Sequence, residues 1–560
     1  MQAPGGSEPT IIDLTPNTTT PPPTPEPLNG LGPRRASHNP ATGALLGHVP
    51  LVGRDGIEAA LAATREAQRL WAEQPPRQRA ALLLRFRDEL EADADAVAQL
   101  ISMEQGKPIA EALSIELLST LAQVTWLAGD GVKLLEGRAT PLFHPVFTTK
   151  RARYEAEPLG VIAIISPWNY PFSIPTTQVM TALLAGNGVV LKPSPFTPLV
   201  GQKIAELARR AGLPSGLLSV IHIEDSDAPY LTSHPNVDKI IFTGSVETGR
   251  RVMESAAQVP TPVVLELGGK DAAIVAPDAD LKRAVPGIVW YAMANAGQTC
   301  AGVERVYVHS AIYDRFVDEA VALAGRLKVG EGIRQETEMG PLTNERQLAH
   351  IEALVEDAKA KGARVLVGGY RLQGEGTFYA PTVLVDVTPE MRLMQEEAFG
   401  PLLPILRVDS VDEAVESANQ SRFALTGSIW TRDERKGLEL ARRLHGGAVN
   451  LNDHAFHYGD PGVGWGGNGA SGFGRTNGVQ GLMEMVNLKF ISSDMRRGTL
   501  ELWWYPYNEA LAQLLRNVAR FLYGPRDRKL WAMVSLLLNP RTLTRLSLRQ
   551  LLAAFRASLR

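Results

Sequence analysis

The feature that most constrains this chain is a series of short apolar runs that alternate with longer segments of helical spacing. The runs are Val161–Ile165 and residues 189–191, 218–221, 240–242 and 263–265. Such alternation is typical of a parallel β-sheet with helices on its faces, and several runs end in loops containing Gly, Pro, Ser or Asn. Ligands bind beyond the carboxyl ends of the strands in sheets of this kind. The sequence therefore predicts an α/β fold whose binding site lies where these runs end.

Other parts of the chain extend this pattern. Residues 57–71 and 77–105 have helical spacing and many good helix formers, so we expect helices to open the folded part. After residue 300 a strand is expected at 305–308, helices at 313–327 and 344–361, and a further strand at Arg364–Val367. The sequence thus predicts a second α/β domain.

Composition excludes several classes of protein. The chain has 560 residues, 44% of them hydrophobic, which is enough for two or three domains. A net charge of -3 provides no electrostatic reason to expect a nucleic-acid partner. The single cysteine excludes an intramolecular disulfide, a multi-cysteine zinc site and an iron-sulfur cluster, so we expect no metal centre and a reducing, cytoplasmic location. No secretion signal and no transmembrane helix is expected.

The two ends of the chain differ from its middle. Residues 1–35 are rich in Pro and Thr and are predicted to be a disordered leader. Residues 495–560 form a basic, amphipathic extension with an aromatic cluster at 503–507. From Glu501 to Arg560 it has ten Arg or Lys residues against three acids, a local net charge of +7. Apolar faces are predicted on two helices of the extension, at Leu511, Leu514, Leu515, Val518 and Leu522 and at Leu548, Leu551, Leu552, Phe555 and Leu559.

These faces have two interpretations. A basic amphipathic helix with aromatic anchors suits the surface of an anionic membrane, so peripheral membrane contact through residues 495–560 is one hypothesis. Packing against the rest of the protein or another subunit is the other.

The lone cysteine is the first candidate for chemistry. A free cysteine is more often a small buried hydrophobic residue than a nucleophile. Cys300, however, lies between Gly297-Gln298-Thr299 and Ala301-Gly302, small residues that allow a substrate to approach. A cysteine thiolate is a strong nucleophile if its pKa is lowered.

Three further candidates follow the predicted strands. Asn169 could simply form a turn, or its amide could bind an oxyanion. Glu266 could be a solvated loop carboxylate, but the two glycines in Glu266-Leu267-Gly268-Gly269-Lys270 indicate tight backbone geometry. Ser245 lies between a strand and a helix start, where backbone N–H groups can bind phosphate.

Together these motifs resemble those of the aldehyde dehydrogenase superfamily in their order along the chain, their residue types and their spacing. The resemblance covers about residues 39–490. Its motifs include Asn39-Pro40-Ala41-Thr42-Gly43, Asn169, Lys192, the Ser245 turn, Glu266, Cys300, Glu397-Ala398-Phe399-Gly400-Pro401, Trp465-Gly466-Gly467 and Ser471-Gly472-Phe473-Gly474-Arg475. It implies an aldehyde dehydrogenase-like α/β fold. The expected parts are a Rossmann-like cofactor domain (36–137 and 156–268), an α/β catalytic domain (269–469) and small β oligomerisation strands (138–155 and 484–494).

The resemblance also implies a mechanism. Cys300 would attack an aldehyde, and the oxyanion would be bound by the Asn169 amide and the Cys300 backbone N–H. Glu266 would be the general base that hydrolyses the resulting thioester. Members that transfer the acyl group to coenzyme A generally lack a base at this position, so its presence favours release of a free carboxylic acid.

For the cofactor, the resemblance implies NAD or NADP, with NAD slightly favoured. The residues that match the family's cofactor contacts are Trp168, Lys192, Ser245, Glu397 and Phe399. Pro195 stands where many NAD-preferring members have a Glu, so a 2'-phosphate would not be repelled there. Gln178 and Thr476 stand where a Lys and a proton-relaying Glu are frequent, so any proton path from Glu266 differs.

Several questions stay open at this point. A lipophilic aldehyde becomes a plausible substrate if the extension contacts a membrane. A homodimer or homotetramer is expected from the resemblance. Two alternative functions are a coenzyme A-acylating enzyme and a catalytically idle scaffold, and the presence together of Cys300, Glu266 and Asn169 argues against the scaffold.

Overall fold

The computed structural model describes residues 32–494, 500–539, 542 and 545–558. The chain forms two compact units. The first contains Met1–Lys133 and Pro158–Val486, and the second contains Leu134–Glu157 and Asn487–Arg560. Residues 1–31 of the expected leader lie outside the described residues, and the first strand begins at Arg34, two residues before the expected start of the folded part.

The secondary structure follows the expected alternation. The strands are β1 (Arg34–His38), β2 (Leu45–Pro50), β3 (Arg138–Ala139), β4 (Arg151–Pro158), β5 (Val161–Ile165), β6 (Gly188–Lys192), β7 (Leu218–Val220), β8 (Lys239–Thr243), β9 (Val263–Glu266), β10 (Asp271–Val275), β11 (Val303–His309), β12 (Arg364–Val367), β13 (Thr382–Val385), β14 (Leu402–Val408), β15 (Phe423–Ala424), β16 (Thr426–Trp430), β17 (Ala448–Leu451), β18 (Asn468–Gly469), β19 (Gly472–Phe473) and β20 (Val486–Ser493). The helices are α1 (Arg54–Ala72), α2 (Pro76–Ala92), α3 (Ala94–Gln105), α4 (Ile109–Leu135, with two π-helical turns), α5 (Ser173–Ala185), α6 (Pro198–Arg210), α7 (Ala228–Thr232), α8 (Val246–Ala256), α9 (Leu281–Met293), α10 (Tyr313–Ala324), α11 (Glu345–Ala360), α12 (Arg392–Gln395), α13 (Val411–Asn419), α14 (Glu434–Arg443), α15 (Gly478–Met483), α16 (Glu509–Tyr523), α17 (Arg526–Leu538) and α18 (Leu548–Ser558).

Two large sheets form the first unit. One has the order β19-β9-β8-β5-β6-β7 and the other the order β12-β13-β14-β11-β10-β16-β17. Strands β5 to β9 pair in parallel, and β5 is buried along its whole length because helices cover both faces. The α/β fold and the apolar runs expected as strands are confirmed.

Helix α4 has an unusual composition. It is long enough to cross a membrane by length and hydropathy alone, with a mean hydropathy of 1.2 over its most apolar window, a property not noticed in the sequence. Buried core helices pass the same test, and 39% of this window is buried. The helix also carries the buried carboxylates of Glu111 and Glu116, which accept hydrogen bonds beside the site described below. These contacts favour a structural role within the first unit.

The second unit contains the sheet β20-β4-β3 and helices α16, α17 and α18. Four of the five residues predicted for the apolar face of α16, Leu511, Leu514, Val518 and Leu522, are buried in a hydrophobic cluster with residues of α17 and α18, whereas the fifth, Leu515, is 38% exposed. Most of that face therefore packs within its own unit. On α18, Leu552 and Phe555 stay exposed, while Leu559 lies outside the described residues.

Candidate active site

Strand order brings four predicted site segments to one edge of the six-stranded sheet. Strands β9, β8, β5 and β6 are adjacent and parallel. The segments that follow them therefore leave the sheet on the same side. Glu266 and Lys192 are the last residues of β9 and β6, and Ser245 and Asn169 lie in the segments after β8 and β5.

Cys300 follows a tightly bent segment that joins α9 to β11. Asn295 and Ala296 both have positive φ, at 55° and 52°. Such backbone is costly for residues other than glycine, about 1–3 kcal/mol each, and needs support from its surroundings. Here Asn295 donates its backbone N–H to Glu111 Oε2 (2.8 Å) and its amide to the Asn169 carbonyl (2.9 Å), and it accepts from Gln105 Nε2 (2.8 Å). The bend that presents Cys300 is thus fixed by buried hydrogen bonds.

Cys300 and Glu266 line the same cavity, which has a volume of about 210 Å³. Cys300 is only half-buried. The walls are mostly aromatic and apolar, with Ile115, Tyr170, Ile174, Trp290, Tyr291, Ala294, Ala301, Ala455, Phe456, Tyr458 and Trp465, and they also include the hydroxyl and amide side chains of Ser114, Ser119, Thr177, Gln178, Thr243, Thr299, Thr476 and Asn477. A thiol and a carboxyl group therefore share a space that contains no other acidic or basic side chain among the described lining residues apart from the tyrosines.

The Glu266 carboxyl is buried, and neither of its oxygens accepts a hydrogen bond that meets normal geometry from the described residues. Burial raises the pKa of Glu266 well above its usual value, while the nearby Arg475 and Trp465 lower it by less. A buried acid with a raised pKa can hold or accept a proton near neutral pH, as general bases do.

The Cys300 thiol differs from the sequence expectation. Burial raises its pKa above the usual range, and the neighbouring carboxyls of Glu397, Glu266 and Asp271 raise it further. The described residues around the sulfur therefore favour the thiol, whereas a nucleophile must lose its proton. Reaction therefore requires that the Cys300 thiol lose its proton as the sulfur attacks the substrate.

Asn169 lies beneath the Cys300 loop. Its side chain is buried, and its amide donates a hydrogen bond of 3.0 Å to the carbonyl of Gln298, two residues before Cys300. An amide nitrogen carries two hydrogens, so this contact uses one of them. Asn169 is not among the residues that line the cavity of Cys300 and Glu266.

The two glycines after Glu266 have a steric explanation. A Cβ atom at Gly268 would lie 2.4 Å from Glu397 Oε2, and one at Gly269 would lie 2.1 Å from the Cys300 carbonyl oxygen. The Gly269 backbone N–H donates to Glu397 Oε1 at 3.0 Å. Side chains would therefore separate the Glu266, Cys300 and Glu397 segments, as the motif suggested.

Two of the predicted cofactor residues are in contact. The rings of Trp168 and Phe399 meet edge to face with centroids 5.3 Å apart. Glu397 lies beside them in sequence, and burial followed by the charge of Glu304 raises its pKa to about 8. Ser245 caps α8 by accepting from the Thr248 N–H at 3.3 Å, so backbone N–H groups at this exposed helix start remain directed outward.

Lys192 is the remaining predicted cofactor residue. Its side chain is nearly buried, and its Nζ lies 3.6 Å from Asp225 Oδ1. Burial lowers the pKa of Lys192, with Asp225 opposing the shift. An exposed helix start, a half-buried aromatic pair and a lysine paired with a carboxylate fit the phosphates, rings and ribose hydroxyls of a dinucleotide.

Comparison with known proteins assigns the family. The model of the aldehyde dehydrogenase family matches residues 31–491. The chain belongs to this family. It is 38% identical over 490 residues to a 4,4'-diapolycopene aldehyde oxidase from Methylomonas sp, which covers 87% of this chain and 91% of the relative. It is therefore an oxidoreductase that oxidises aldehydes.

Solved structures agree with this assignment. An NADP-dependent enzyme from E. coli has 35% identity and a TM-score of 0.80, and the match covers 83% of this chain and 95% of that one. An aldehyde dehydrogenase from Bacillus cereus in complex with NAD+ has 34% identity and a TM-score of 0.79, covering 83% and 94%. The aldehyde dehydrogenase-like fold is thereby confirmed.

The enzyme contains a buried ion pair that the sequence analysis missed. Lys107 and Glu116 are fully buried and lie 2.6 Å apart. Lys107 also donates to the Asn169 carbonyl (2.8 Å), and Glu116 accepts from the backbone N–H groups of Phe172 and Ser173 at the start of α5 (2.8 and 3.0 Å). The pair therefore holds the segment that carries Asn169. A carboxylate within the apolar stretch of α4 was the signal that could have revealed it.

Two other supporting residues were also missed. Glu304 accepts from the backbone N–H groups of Ala398 and Phe399 (2.8 and 2.9 Å), so it fixes the segment that carries Glu397. His454 is fully buried, and burial lowers its pKa to about 3. Its neutral ring donates from Nε2 to the Ala301 carbonyl at 3.1 Å, which braces the backbone after Cys300. Neither residue carries a local sequence signal for this role.

Proposed function

We propose that this enzyme oxidises aldehydes to free carboxylic acids through a thioester on Cys300, with Glu266 as the base for hydrolysis. The observation that carries the proposal is the shared cavity of Cys300 and Glu266. A nucleophile and a buried carboxyl that accepts no hydrogen bond of normal geometry, both in one largely apolar space, suit covalent catalysis followed by hydrolysis.

The first step is addition of the Cys300 sulfur to the carbonyl carbon, with the thiol proton passing to water as the bond forms. The carbonyl oxygen then becomes an oxyanion. The second N–H of the Asn169 amide and the backbone N–H of Cys300 are the donors that we assign to it. The Asn169 segment is prepared for this role because Lys107 and Asn295 both hold its carbonyl.

A bound nicotinamide dinucleotide would supply the acceptor for the hydride of the former carbonyl carbon, so that a thioester would remain on Cys300. Trp168, Phe399 and Glu397 would hold the nicotinamide end, the start of α8 at Ser245 the pyrophosphate, and Lys192 the adenosine ribose.

Hydrolysis of this thioester is the role of Glu266. The carboxylate takes a proton from a water molecule in the cavity, and the water oxygen displaces the Cys300 sulfur. A coenzyme A-acylating enzyme would need no such base. The position of Glu266 supports the hydrolytic alternative, because its carboxyl group lines the same cavity as Cys300.

The walls of the cavity indicate the substrate class. Among the described residues that line it, none is Lys, Arg or His, and Glu266 is its only carboxylic acid. An aldehyde with its own carboxylate or sulfonate would be desolvated there without a cationic partner. Aromatic walls bind an uncharged alkyl or aryl chain instead. We therefore propose neutral, lipophilic aldehydes as substrates.

Both NAD and NADP remain candidates for the cofactor, with NAD slightly favoured. Pro195 provides no carboxylate that would repel a 2'-phosphate. Asp225, however, lies beside Lys192, and its negative charge favours the free ribose hydroxyls of NAD. This carboxylate was not assigned to the cofactor site from the sequence.

We also propose the expected assembly and domain roles. The six-stranded sheet would bind the cofactor and the seven-stranded sheet would support catalysis.

Apolar side chains of β20 are exposed at Leu488, Phe490 and Ile491. This edge strand of the β20-β4-β3 sheet could extend into a second subunit, which supports a homodimer or homotetramer. Residues 495–560 are proposed to contact a membrane surface.

The central experiment uses the single cysteine of the chain. Alkylation by iodoacetamide reports on Cys300 alone, and Cys300→Ala should abolish NAD(P)H formation while the thermal unfolding temperature stays unchanged. In the unmodified enzyme, NAD(P)H should form without coenzyme A. Turnover by the Ala variant would disprove the thioester route, and a requirement for coenzyme A would favour acyl transfer. Cofactor binding without any turnover would favour a scaffold.

The substrate class is tested with matched aldehydes. An alkyl aldehyde and a semialdehyde of equal chain length differ only in the terminal carboxylate. We expect kcat/KM to be about a hundredfold higher for the alkyl aldehyde, because the carboxylate finds no cationic partner among the described residues of the cavity. Equal values would contradict the proposed preference.

A further inference from the structure

Helix α17 of the second unit is apolar on two opposite sides. Ala532 and Leu536 are buried in the hydrophobic cluster of that unit. A second stripe is exposed, with exposed fractions between 38% and 78%, and it consists of Leu530, Trp531, Val534, Leu537 and Leu538. Spacings of four, seven and eight residues from Leu530 place Val534, Leu537 and Leu538 along one face of the helix, and Trp531 joins its edge at three residues from Val534. We call this stripe the α17 face.

Water is an unfavourable environment for such a face. A helix that is apolar all round is normally enclosed in a protein core or in lipid. Exposed contiguous apolar surface marks an interaction site. Helix α17 has 13 residues, a length of about 20 Å, which is too short to cross a bilayer of about 30 Å. A lipid surface could therefore accept this helix only lying in its plane.

The charge around the α17 face selects the kind of surface. Arg526, Arg528 and Lys529 lie in the first turn of the helix with one acid, Asp527, which leaves a net positive charge there. The second unit also contains a cavity of about 1350 Å³ whose lining includes Lys150, Arg151, Lys529, Arg549 and Arg556 and no acidic residue among those described. Lys150 is paired with Asp494 and Glu501, but Arg549 and Arg556 are exposed. Cations beside an apolar stripe complement anionic headgroups above lipid chains.

A second copy of the chain fits the α17 face less well. In a two-fold symmetric dimer each surface patch meets its own copy. The extension from Glu501 to Arg560 carries a net charge of +7, so the two copies would bring like charges together around the contact. An anionic bilayer avoids this repulsion.

We propose that the α17 face binds an anionic phospholipid bilayer, lying in its interface, while the basic side chains of the neighbouring cavity contact headgroup phosphates. Exposed aromatic residues of the same unit, Trp504, Tyr505 and Tyr507, suit the same interfacial depth. The inference rests on the membrane contact proposed above and specifies its surface. The sequence analysis named the apolar face of α16 as one that could contact a membrane, but most of that face is used for packing. The α17 face was not identified from the sequence.

The experiment measures sedimentation of the full-length enzyme with vesicles. Vesicles of phosphatidylglycerol should bind it, and vesicles of pure phosphatidylcholine should bind it much less. Trp531→Glu combined with Leu537→Glu should weaken binding to phosphatidylglycerol by about tenfold or more, because charges in the interface oppose insertion. Arg549→Glu combined with Arg556→Glu should weaken it through the electrostatic attraction alone, most clearly at low salt.

The matched control is Leu70→Glu, a change at another leucine that is 68% exposed, on helix α1 of the first unit. This variant should bind vesicles as the unmodified enzyme does. Turnover of a short, water-soluble aldehyde should be unchanged in all variants, so failure of the membrane proposal and failure of the catalytic proposal are separately visible. Equal vesicle binding by the α17 variant would overturn the inference. The inference would also be overturned if the enzyme did not bind vesicles and the α17 variant instead dissociated a dimer.

Discussion

Glu116 and Glu266 are both buried in the first unit, but their surroundings are opposite. The carboxylate of Glu116 is met by the Lys107 ammonium and by two backbone N–H groups. The carboxyl of Glu266 accepts no hydrogen bond of normal geometry from the described residues, has only Trp465 and Arg475 nearby to favour its charge, and faces a cavity. A buried charge that has strong hydrogen-bond and charge partners stabilises the structure around it. A buried acid that lacks them has a raised pKa and remains available for reaction.

The strongest test of this comparison is Glu266→Gln. Glutamine keeps the shape but cannot take a proton, so steady-state kcat should fall by about 10²–10⁴-fold. Rapid mixing should still show one burst of NAD(P)H per active site, because formation of the thioester does not need this base. Stability to denaturant should be unchanged or slightly higher, since glutamine carries no charge that burial would penalise. An unchanged kcat would remove Glu266 from the mechanism.

The matching change on the other side is Lys107→Met. Removing one partner of a buried ion pair leaves an uncompensated charge, so the free energy of unfolding should fall by about 3–5 kcal/mol. Urea unfolding measures this loss. Adding Glu116→Gln should recover part of it, because glutamine can still accept from Phe172 and Ser173 without carrying a charge. If the double variant were less stable than Lys107→Met, the two residues would not act as a pair.

The pH dependence of turnover should reflect the unsatisfied site. The pKa values of Glu266 and Cys300 are both raised, so their protonated forms dominate at lower pH and their reactive forms are gained as pH rises. We expect kcat to increase by up to about tenfold per pH unit above neutrality. In Glu266→Gln this rise should persist in the burst rate, which depends on Cys300, and be lost from the steady state. A kcat that declines from pH 6 to 8 would contradict this assignment.

The smallest effect is expected for a carboxylate in water. Asp225 is paired with Lys192 at 3.6 Å, but its side chain is 84% exposed. Exposed pairs contribute only about 0.2–1 kcal/mol. Asp225→Asn should therefore raise kcat/KM for NADP relative to NAD by no more than about fivefold, through loss of one negative charge near the 2'-phosphate. Glu224→Asn, at the neighbouring carboxylate paired with Arg35, is a suitable control. A change in favour of NAD would show that Asp225 does not face the ribose.

Much of the first unit could be predicted because its signals are local. Apolar runs identified β5 to β9, and the glycines after Glu266 indicated the close approach that the structure shows at Cys300 and Glu397. The second unit was less accessible. Both α16 and α17 have apolar residues at helical spacing, and periodicity does not reveal which face is covered.

The sequence alone determined the order of the strands along the chain, the identity of the candidate nucleophile and base, and the family, because these depend on residue type and spacing. The tertiary structure decided how charge is distributed around them. Only folding brings Lys107 to Asn169, Glu304 to the Glu397 segment and three carboxyls to one sulfur, across separations of many residues. The protonation states of the site depend on these distances and on burial, which a linear pattern does not contain.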